Sequence, residues 1–495
     1  MRKLAVSLIA ALLAASCTLE PKYDRPPAPV PQSFPDGEAY RAGAIAPTTG
    51  VGAVAPTAGK AAADIGWREF FTDPRLQQLI ELTLANNRDL RVAALNVEAQ
   101  RAQYRIQRAD LLPTISATAS ESAQTVAPYL KSSGLSIPSV TRQYTVGVGF
   151  TNYELDVFGR IRSLTHQQLE QYFGYEETRR STQISLVAEV ADDYLTLLAD
   201  QELLRITQET LESDTDSYTL TQRMLELGQD TDLDLREAES AVDTARANLA
   251  QYTRQVAQDR NALQLLVGAP LPQDLSDGPP LEAQSFLEEL PAGLPSGLLE
   301  RRPDILSAER NLRAANANIG AARAAFFPSV SLTGLFGTSS GQLSGLFGNG
   351  SKSWSFNPQL SLPIFAGGAN IANLDLAKVQ KNVQVAQYEK SIQTAFREVA
   401  DALAARGTLQ QQREAQRALV DATSASYKLS EMRFQSGVDA YLTVLDSQRT
   451  LYSAQQGLVS VELTRLENLV SLYKALGGGW EEGDSRVARG PANGG

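Results

Sequence analysis

One cysteine, Cys17, and one histidine, His166, carry all the thiol and imidazole chemistry available to this 495-residue chain. A nucleophile needs a base beside it and a zinc centre needs several such ligands, so neither can be built from this pair. His166, inside a helical pattern with no thiol partner, reads as a surface or packing residue. "GAVAPTAGK", from Gly52, resembles a phosphate loop only superficially, because its first glycine is misplaced for the required spacing. "DTDLD", from Asp230, would attract a cation but lacks a calcium-loop pattern. The sequence therefore offers no catalytic residue, no metal site and no cofactor site, and an enzyme is the weakest reading.

Cys17 has a different use. "MRKLAVSLIAALLAASC" places Arg2 and Lys3 before an apolar run from Leu4 to Ala15, with small residues ahead of the cysteine. That run is too short to span a bilayer as a helix, so residues 1–16 read as a secretory signal peptide. "AASC" resembles a lipobox, although Ala14 stands where Leu is commoner, and Cys17 becomes the acylated first residue of the mature chain. The competing reading is an ordinary cleavage site beside an incidental cysteine. The covalent lipid is the only attached group expected.

Composition narrows the rest. With 43% hydrophobic residues the chain is not disordered, and a net charge of -11 without any Lys/Arg-rich run speaks against a nucleic-acid partner. Residues 17–63 are Pro-rich and then Ala/Gly/Thr-rich, which reads as an extended linker without packed structure.

Past Asp64 the sequence writes one grammar twice. "RADLLPTISAT" begins at Arg108 and "RAAFFPSVSLT" at Arg323. A helical pattern stops before each of Pro113 and Pro328, where the ring forbids its continuation, and a period-two alternation follows. In the first copy Ile115, Ala117 and Ala119, then Tyr144, Val146, Val148 and Phe150, alternate with small polar residues and glycine. In the second, Val330, Leu332 and Phe336, then Trp354, Phe356, Leu360, Leu362 and Ile364, do the same. These are two hairpins with one apolar face each. A soluble sheet with a buried face is the default reading. A lipoprotein signal and strands of about ten residues favour transmembrane strands, with Tyr144 and Trp354 as an interfacial girdle. Four strands cannot close a barrel, so that reading demands several copies of the chain. Pro358, within the fourth strand, removes a donor that such a barrel would pair.

Each hairpin runs into a long proline-free helical pattern. Ile184, Val187, Ala191, Tyr194 and Leu198 repeat at spacings of three and four, and a helix from Arg160 to Leu227 would reach roughly 100 Å. The pattern reverses at "ELGQDTD" and resumes through Leu235, Ala238, Val242 and Ala245; the second half reverses at "FQSGVDAY" and resumes through Leu451, Ala454, Leu458 and Val461. Gly228 and Gly437 mark the two reversals. The boundaries are thus 64–280 for the first repeat (hairpin about 113–157, tip near 228), 281–476 for the second (hairpin about 328–366, tip near 437) and 477–495 for a tail. The fold class is mainly α with a transmembrane β part.

Together these residues resemble the outer-membrane channel proteins of the TolC/OprM type, in the lipoprotein branch that serves tripartite efflux. The resemblance is carried by "CTLEPKYDRPP", "WREFFTDPRLQQLIELTLANNRDL" from Trp67, "YELDVFGRIRS" from Tyr153, "LLERRPDI" from Leu298, "LPIFAGG" from Leu362, "SGVDAYLTVLDSQRTLYSAQ" from Ser436 and "LYKALGGGW" from Leu472. It implies a homotrimer in which four strands per chain close one β-barrel, continuous with a long periplasmic α-helical barrel. It also implies a mixed α/β equatorial belt drawn from the Trp67 region, Gly268 to Ser296 and the C-terminal end. The implied location is the outer membrane of a Gram-negative bacterium, with the outer-membrane lipid around the barrel. The implied partners are a periplasmic adaptor and an inner-membrane resistance-nodulation-division transporter.

The resemblance also assigns residues. Asp446 matches an acidic gate residue of the family; Thr443 stands where some relatives carry a second aspartate, and Phe434 where Tyr is common, with Asp439 and Tyr441 as neighbours. Without the family, Asp446 would read as a solvated helix-surface carboxylate. The tips around Leu225, Gly228 and Asp230, and around Arg433, Gly437 and Val438, are the implied adaptor-docking surface. Three functions stay in view: an export duct, a passive porin and a periplasmic coiled-coil scaffold. A porin would spend most of its length on strands, and a scaffold needs no matched hairpins.

Overall fold

A computed structural model of the chain describes residues 18–41, 62–125, 140–272, 280–284, 286, 297 and 301–480. Cys17, the signal segment 1–16, "GAVAPTAGK", parts of the 268–296 stretch and the last residues of the tail lie outside the described residues.

The described elements follow in the order α1 (Glu38–Arg41), α2 (Trp67–Phe70), α3 (Pro74–Asn86), α4 (Arg88–Ala109), β1 (Ile115–Thr125), β2 (Val140–Leu155), α5 (Arg160–Glu226), α6 (Asp232–Val267), α7 (Pro303–Ala324), β3 (Ser329–Ser340), β4 (Lys352–Ser361), α8 (Ala369–Gln435) and α9 (Tyr441–Ala475). The internal repeat shows in their lengths. α4 and α7 have 22 residues each, α5 and α8 have 67 each, and α6 and α9 have 36 and 35. α4 ends at Ala109 and α7 at Ala324, and a short turn, not the proline itself, closes each: Leu112 N–H donates to the Ala109 carbonyl at 2.9 Å, and Phe327 N–H to Ala324 at 3.0 Å. Pro113 and Pro328 then begin the extended chain that becomes β1 and β3.

Two compact units divide the chain, and each draws on both repeats. The first combines the chain up to Pro27 with Asn96–Glu176 and Ser307–Glu389. It holds one antiparallel sheet in the order β1-β2-β3-β4. One residue interrupts the β2–β3 ladder: between Phe150 and Tyr153 the register shifts, with Asn152 at φ +53° donating its N–H to Thr333 Oγ1 at 3.1 Å. Asn tolerates that left-handed conformation, and the bulge moves Tyr153 and Leu155 onto the face already used by Val148 and Phe150. The strand-to-helix joint after β2 uses "YELDVFGRIRS". Asp156 caps α5 by accepting from Ile161 N–H (3.0 Å) and Arg162 N–H (2.8 Å), and Glu154 holds Arg160 at 2.8 and 2.6 Å.

The first unit corrects the free-linker expectation for the part of residues 17–63 that it contains, Thr18–Pro27. Thr18–Pro27 is extended but docked: Asn316 donates to the Pro21 carbonyl at 2.8 Å, and Arg25 makes a two-pronged contact with Glu309 at 3.1 and 2.7 Å. Tyr23 OH also donates to Glu309, at 3.1 Å. Proline leaves carbonyls free to accept from side chains, so a Pro-rich stretch serves equally as linker or as strap, and composition does not separate the two.

The second unit, Ala28–Leu95, Glu177–Leu306 and Lys390 onward, is built on an aromatic core. Trp67, Phe70 and Phe71 are fully buried, Phe70 stacks on Tyr473 at 4.0 Å, and Tyr473 OH donates to the Ile65 carbonyl at 2.6 Å. Asp73 caps α3 through Arg75 N–H and accepts from Tyr194 OH and Gln284 at 2.8 and 2.9 Å, which ties the cap to α5. Arg302 of "LLERRPDI" is buried between Asp304, Glu398 and the Ala475 carbonyl. The seam residues Ile184, Val187, Ala191, Tyr194 and Leu198 are all buried, as the heptad spacing requires. Ala62 and Ala63, assigned by composition to the linker, belong to this core. Here too a described part of that stretch is docked, with Phe34 stacked on Phe396 at 5.2 Å.

Candidate functional site

Two features can do work: a sheet with two chemically different faces and a pair of helical reversals. In an antiparallel ladder, directly opposed residues share a face. Val148, Phe336 and Trp354 therefore form one row across β2, β3 and β4, flanked by the row Phe150, Gly334 and Phe356 and, further along, by Val330 with Leu360. Phe336 is 69% exposed and Trp354 76% in the single chain. Leaving a side chain of this size in water forgoes about 1.5–3 kcal/mol each, so the row is built for apolar surroundings. Pro358 belongs to the same face, opposite Leu332, on β4, the outer strand of the sheet within one chain. Tyr144 stands opposite Ser340 whereas Trp354 stands opposite Phe336, so these two aromatics share the face but not a level.

The other face carries Ser116, Thr118, Ser331, Thr333, Ser355, Asn357 and Gln359, with glycines between them and Leu335 as an apolar exception. Gly147 and Gly337 are directly opposed, and a Cβ on Gly337 would collide with the Val146 carbonyl and Gly147 Cα. Short hydroxyls and bare backbone make a wettable wall. No helix of the described residues is long and apolar enough to cross a membrane. The strands are the elements with a lipid-compatible face.

The helical reversals are near copies. Gly228 has φ +70° and Gly437 φ +71°. At the first, Gly228 N–H donates to the Leu225 carbonyl at 2.9 Å and Gln229 N–H to Met224 at 2.9 Å; at the second, Gly437 donates to Phe434 at 2.8 Å and Val438 to Arg433 at 2.9 Å. These paired bonds satisfy the last carbonyls of α5 and α8 around a left-handed glycine. The next residues differ. Thr231 caps α6 by accepting from Asp234 N–H at 3.2 Å and donates its hydroxyl to the Asp234 carboxylate, while Asp230 accepts from Thr231 N–H at 2.9 Å. "DTDLD" is thus a helix start. At the second tip Arg433 clamps Asp439 at 2.6 and 2.8 Å, which holds the Asp439 carboxyl below its usual range.

A small core joins the two tips. Ala238 and Ala241 of α6 meet Tyr441, Val444 and Leu445 of α9, with Tyr218, Tyr427 and Phe434 packed around them. Tyr441 is buried, and burial pushes its hydroxyl up to about 12; Phe434 lies 5.6 Å from its ring. Tyr441 and Phe434 are therefore packing residues of this core. Asp446 and Thr443 lie on the exposed side of α9, and Val438 is exposed at the turn. Leu225 and Asp230 are half-buried.

Two groups stand out: His166, read from sequence as a surface or packing residue, and Asp214, which the sequence did not single out. His166 lies between Glu20 (3.0 Å) and Glu170 (3.4 Å), whose hydrogen bonds raise it to about 10. Asp214, on α5 below the tips, is buried beside Gln448 and Arg449. No group of three or more metal-ligating side chains occurs among the described residues.

The chain's relatives agree with a membrane duct. A family model described as outer membrane efflux protein matches residues 79–269 and 294–478. The toluene efflux pump outer membrane protein TtgC of Pseudomonas putida is 52% identical over 483 residues, covering 97% of this chain and 97% of that protein. The outer membrane protein OprJ of Pseudomonas aeruginosa is 45% identical over 481 residues, again with 97% of each covered. Among solved structures, the open state of the Neisseria gonorrhoeae MtrE outer membrane channel superposes with a TM-score of 0.82 at 41% identity, covering 94% of this chain and 99% of that one.

Proposed function

Because the chain belongs to the outer membrane efflux protein family, we propose that three copies form the exit duct of a tripartite efflux system. It is an outer-membrane efflux channel that conducts passively and is not an enzyme. The observation that carries the association of several copies is the open sheet. β1 has 11 residues and β4 has 10, and both are edges of the sheet. In lipid an unpaired edge is not tolerated, so β4 of one copy is read as pairing with β1 of the next until the barrel closes. α4 supports the same reading: none of its residues is buried in the single chain, and Val92, Leu95 and Ile106 are exposed. A barrel closed this way turns the apolar rows to lipid and the Ser/Thr/Gly wall to water.

The tips are read as the docking surface for a periplasmic adaptor fed by an inner-membrane transporter, and three Asp446 carboxylates, with Thr443 and Asp439 nearby, as the periplasmic gate. A ring of like charges repels anions and admits cations. Cys17 is read as carrying the lipid. TtgC is named for toluene efflux, which supports small organic cargo here. Purified full-length protein is expected to be trimeric in detergent and to conduct in planar bilayers; a monomer that leaves the bilayer silent overturns the reading.

A further inference from the structure

The four strands contain two basic residues, Arg142 of β2 and Lys352 of β4, and both sit at the hairpin ends, away from the helix joints. Both are exposed, and both lie on the apolar face two residues beyond an aromatic, Arg142 beyond Tyr144 and Lys352 beyond Trp354. Of the two acidic residues in the strands, Glu154 is held by Arg160 at the joint, and Glu121 stands opposite Tyr144 on the same face as the bases. Among the described residues neither Arg142 nor Lys352 has an ion-pair partner.

The two bases do not share a rung of the ladder, and a closed barrel requires that they do not. Its strands tilt by about 35–45°, so positions at one height step along the ladder from strand to strand. The helix joints show that step: Ile115, at the start of β1, is level through Phe150 with Gly334, whereas Ser361, at the end of β4, is level with Ser329. Tyr144, level with Ser340, and Trp354, level with Phe336, are displaced in the same sense. The aromatics therefore make one belt and the bases a second belt just outside it. At the same end the β3–β4 turn folds back at Gly345, where a Cβ would meet Ser340 Oγ at 2.8 Å, and Leu343 and Phe347 are left exposed.

We propose that this rim binds a phosphate-bearing lipid of the outer leaflet, its phosphates on Arg142 and Lys352 and its acyl chains along the apolar rows of Val148, Phe336 and Trp354. The inference rests on the duct reading, which puts the helices in the periplasm and the hairpin ends outside. Long basic side chains lay their stems on apolar surface while their heads reach the headgroup level, and a guanidinium meets a phosphate with two N–H donors. Free phosphate has nothing to set against the apolar rows, so the lipid and not the ion is the occupant.

The test titrates the purified full-length protein in non-ionic detergent with fluorescent diphosphoryl lipid A, using the dephosphorylated lipid as control and inorganic phosphate at constant ionic strength as competitor. Saturable binding is expected, at least about tenfold weaker for the dephosphorylated lipid and for the Arg142→Gln/Lys352→Gln double variant, since each base near an anionic headgroup adds to the attraction. Arg397→Gln, which removes an exposed base on α8, should bind as the wild type does, and inorganic phosphate should not displace the lipid. Conduction in planar bilayers is measured on the same preparations and should survive in both variants. If the double variant does not assemble, the two lipids compared on the wild type decide the matter. Equal affinity for them in a conducting wild type, as when Glu121 of a neighbouring copy neutralises Lys352, overturns the proposal and leaves the duct reading intact, and displacement by inorganic phosphate does the same. A wild type silent in the bilayer overturns the duct reading and this proposal with it.

Discussion

At His166 a single ring links the docked N-terminal strap, through Glu20, to its own helix through Glu170, and Arg310 completes the set at 3.1 Å from Glu170. The Glu170 and Glu20 hydrogen bonds raise His166 from 6.5 to about 10. A raised value in the folded state means that the stabilisation is fully present below about 6.5 and is lost as pH rises through about 10. Between pH 8.5 and 11 the Tm of the wild type should fall more steeply than that of His166→Gln; parallel curves would show that the latch contributes nothing. Asp446 gives a second prediction at this scale. Asp446→Ala should raise single-channel conductance in planar bilayers and weaken block by trivalent cations, and identical traces contradict the gate assignment. Neither His166 nor Asp214 was legible in the sequence, because what makes them special lies far off along the chain: Glu20 is 146 residues from His166. Tyr441 and Phe434, grouped with the gate by resemblance, pack in and against the core that joins the tips.

Among the elements, the strands and long helices were legible because their periods of two and 3.6 survive in any environment that has one apolar side. The bulge also leaves a trace in the residue pattern. Tyr144, Val146, Val148 and Phe150 are even-numbered, whereas Tyr153 and Leu155 are odd, and that change of parity is the extra residue at Asn152. The docked strap was not legible, since its carbonyl and carboxylate contacts follow from no local pattern. Close packing of the strand faces yields a prediction. Gly337 leaves no room for a Cβ against Val146 and Gly147, so Gly337→Val should block the β2–β3 ladder and abolish the heat-stable oligomer on a gel. Ser355→Val, on the same wettable face of β4, provides the control, and an intact oligomer in Gly337→Val contradicts the register.

For the whole molecule, two chemically distinct sheet faces, two open edges of nearly equal length and two copies of one helical reversal follow from one repeated grammar. Family membership gives that architecture its task, and the exposed apolar rows suit a lipid surrounding. Pump partners and lipid anchor are open to test through the same phenotype: Cys17→Ala should retain export in part if the barrel itself holds the protein in the membrane. The most direct measurement is susceptibility to toluene and to dye or antibiotic efflux substrates in a gene-deletion strain, with dye accumulation followed in parallel. The deletion should sensitise cells and raise accumulation, and the wild-type gene should restore both. Unchanged susceptibility and unchanged accumulation would contradict the export role.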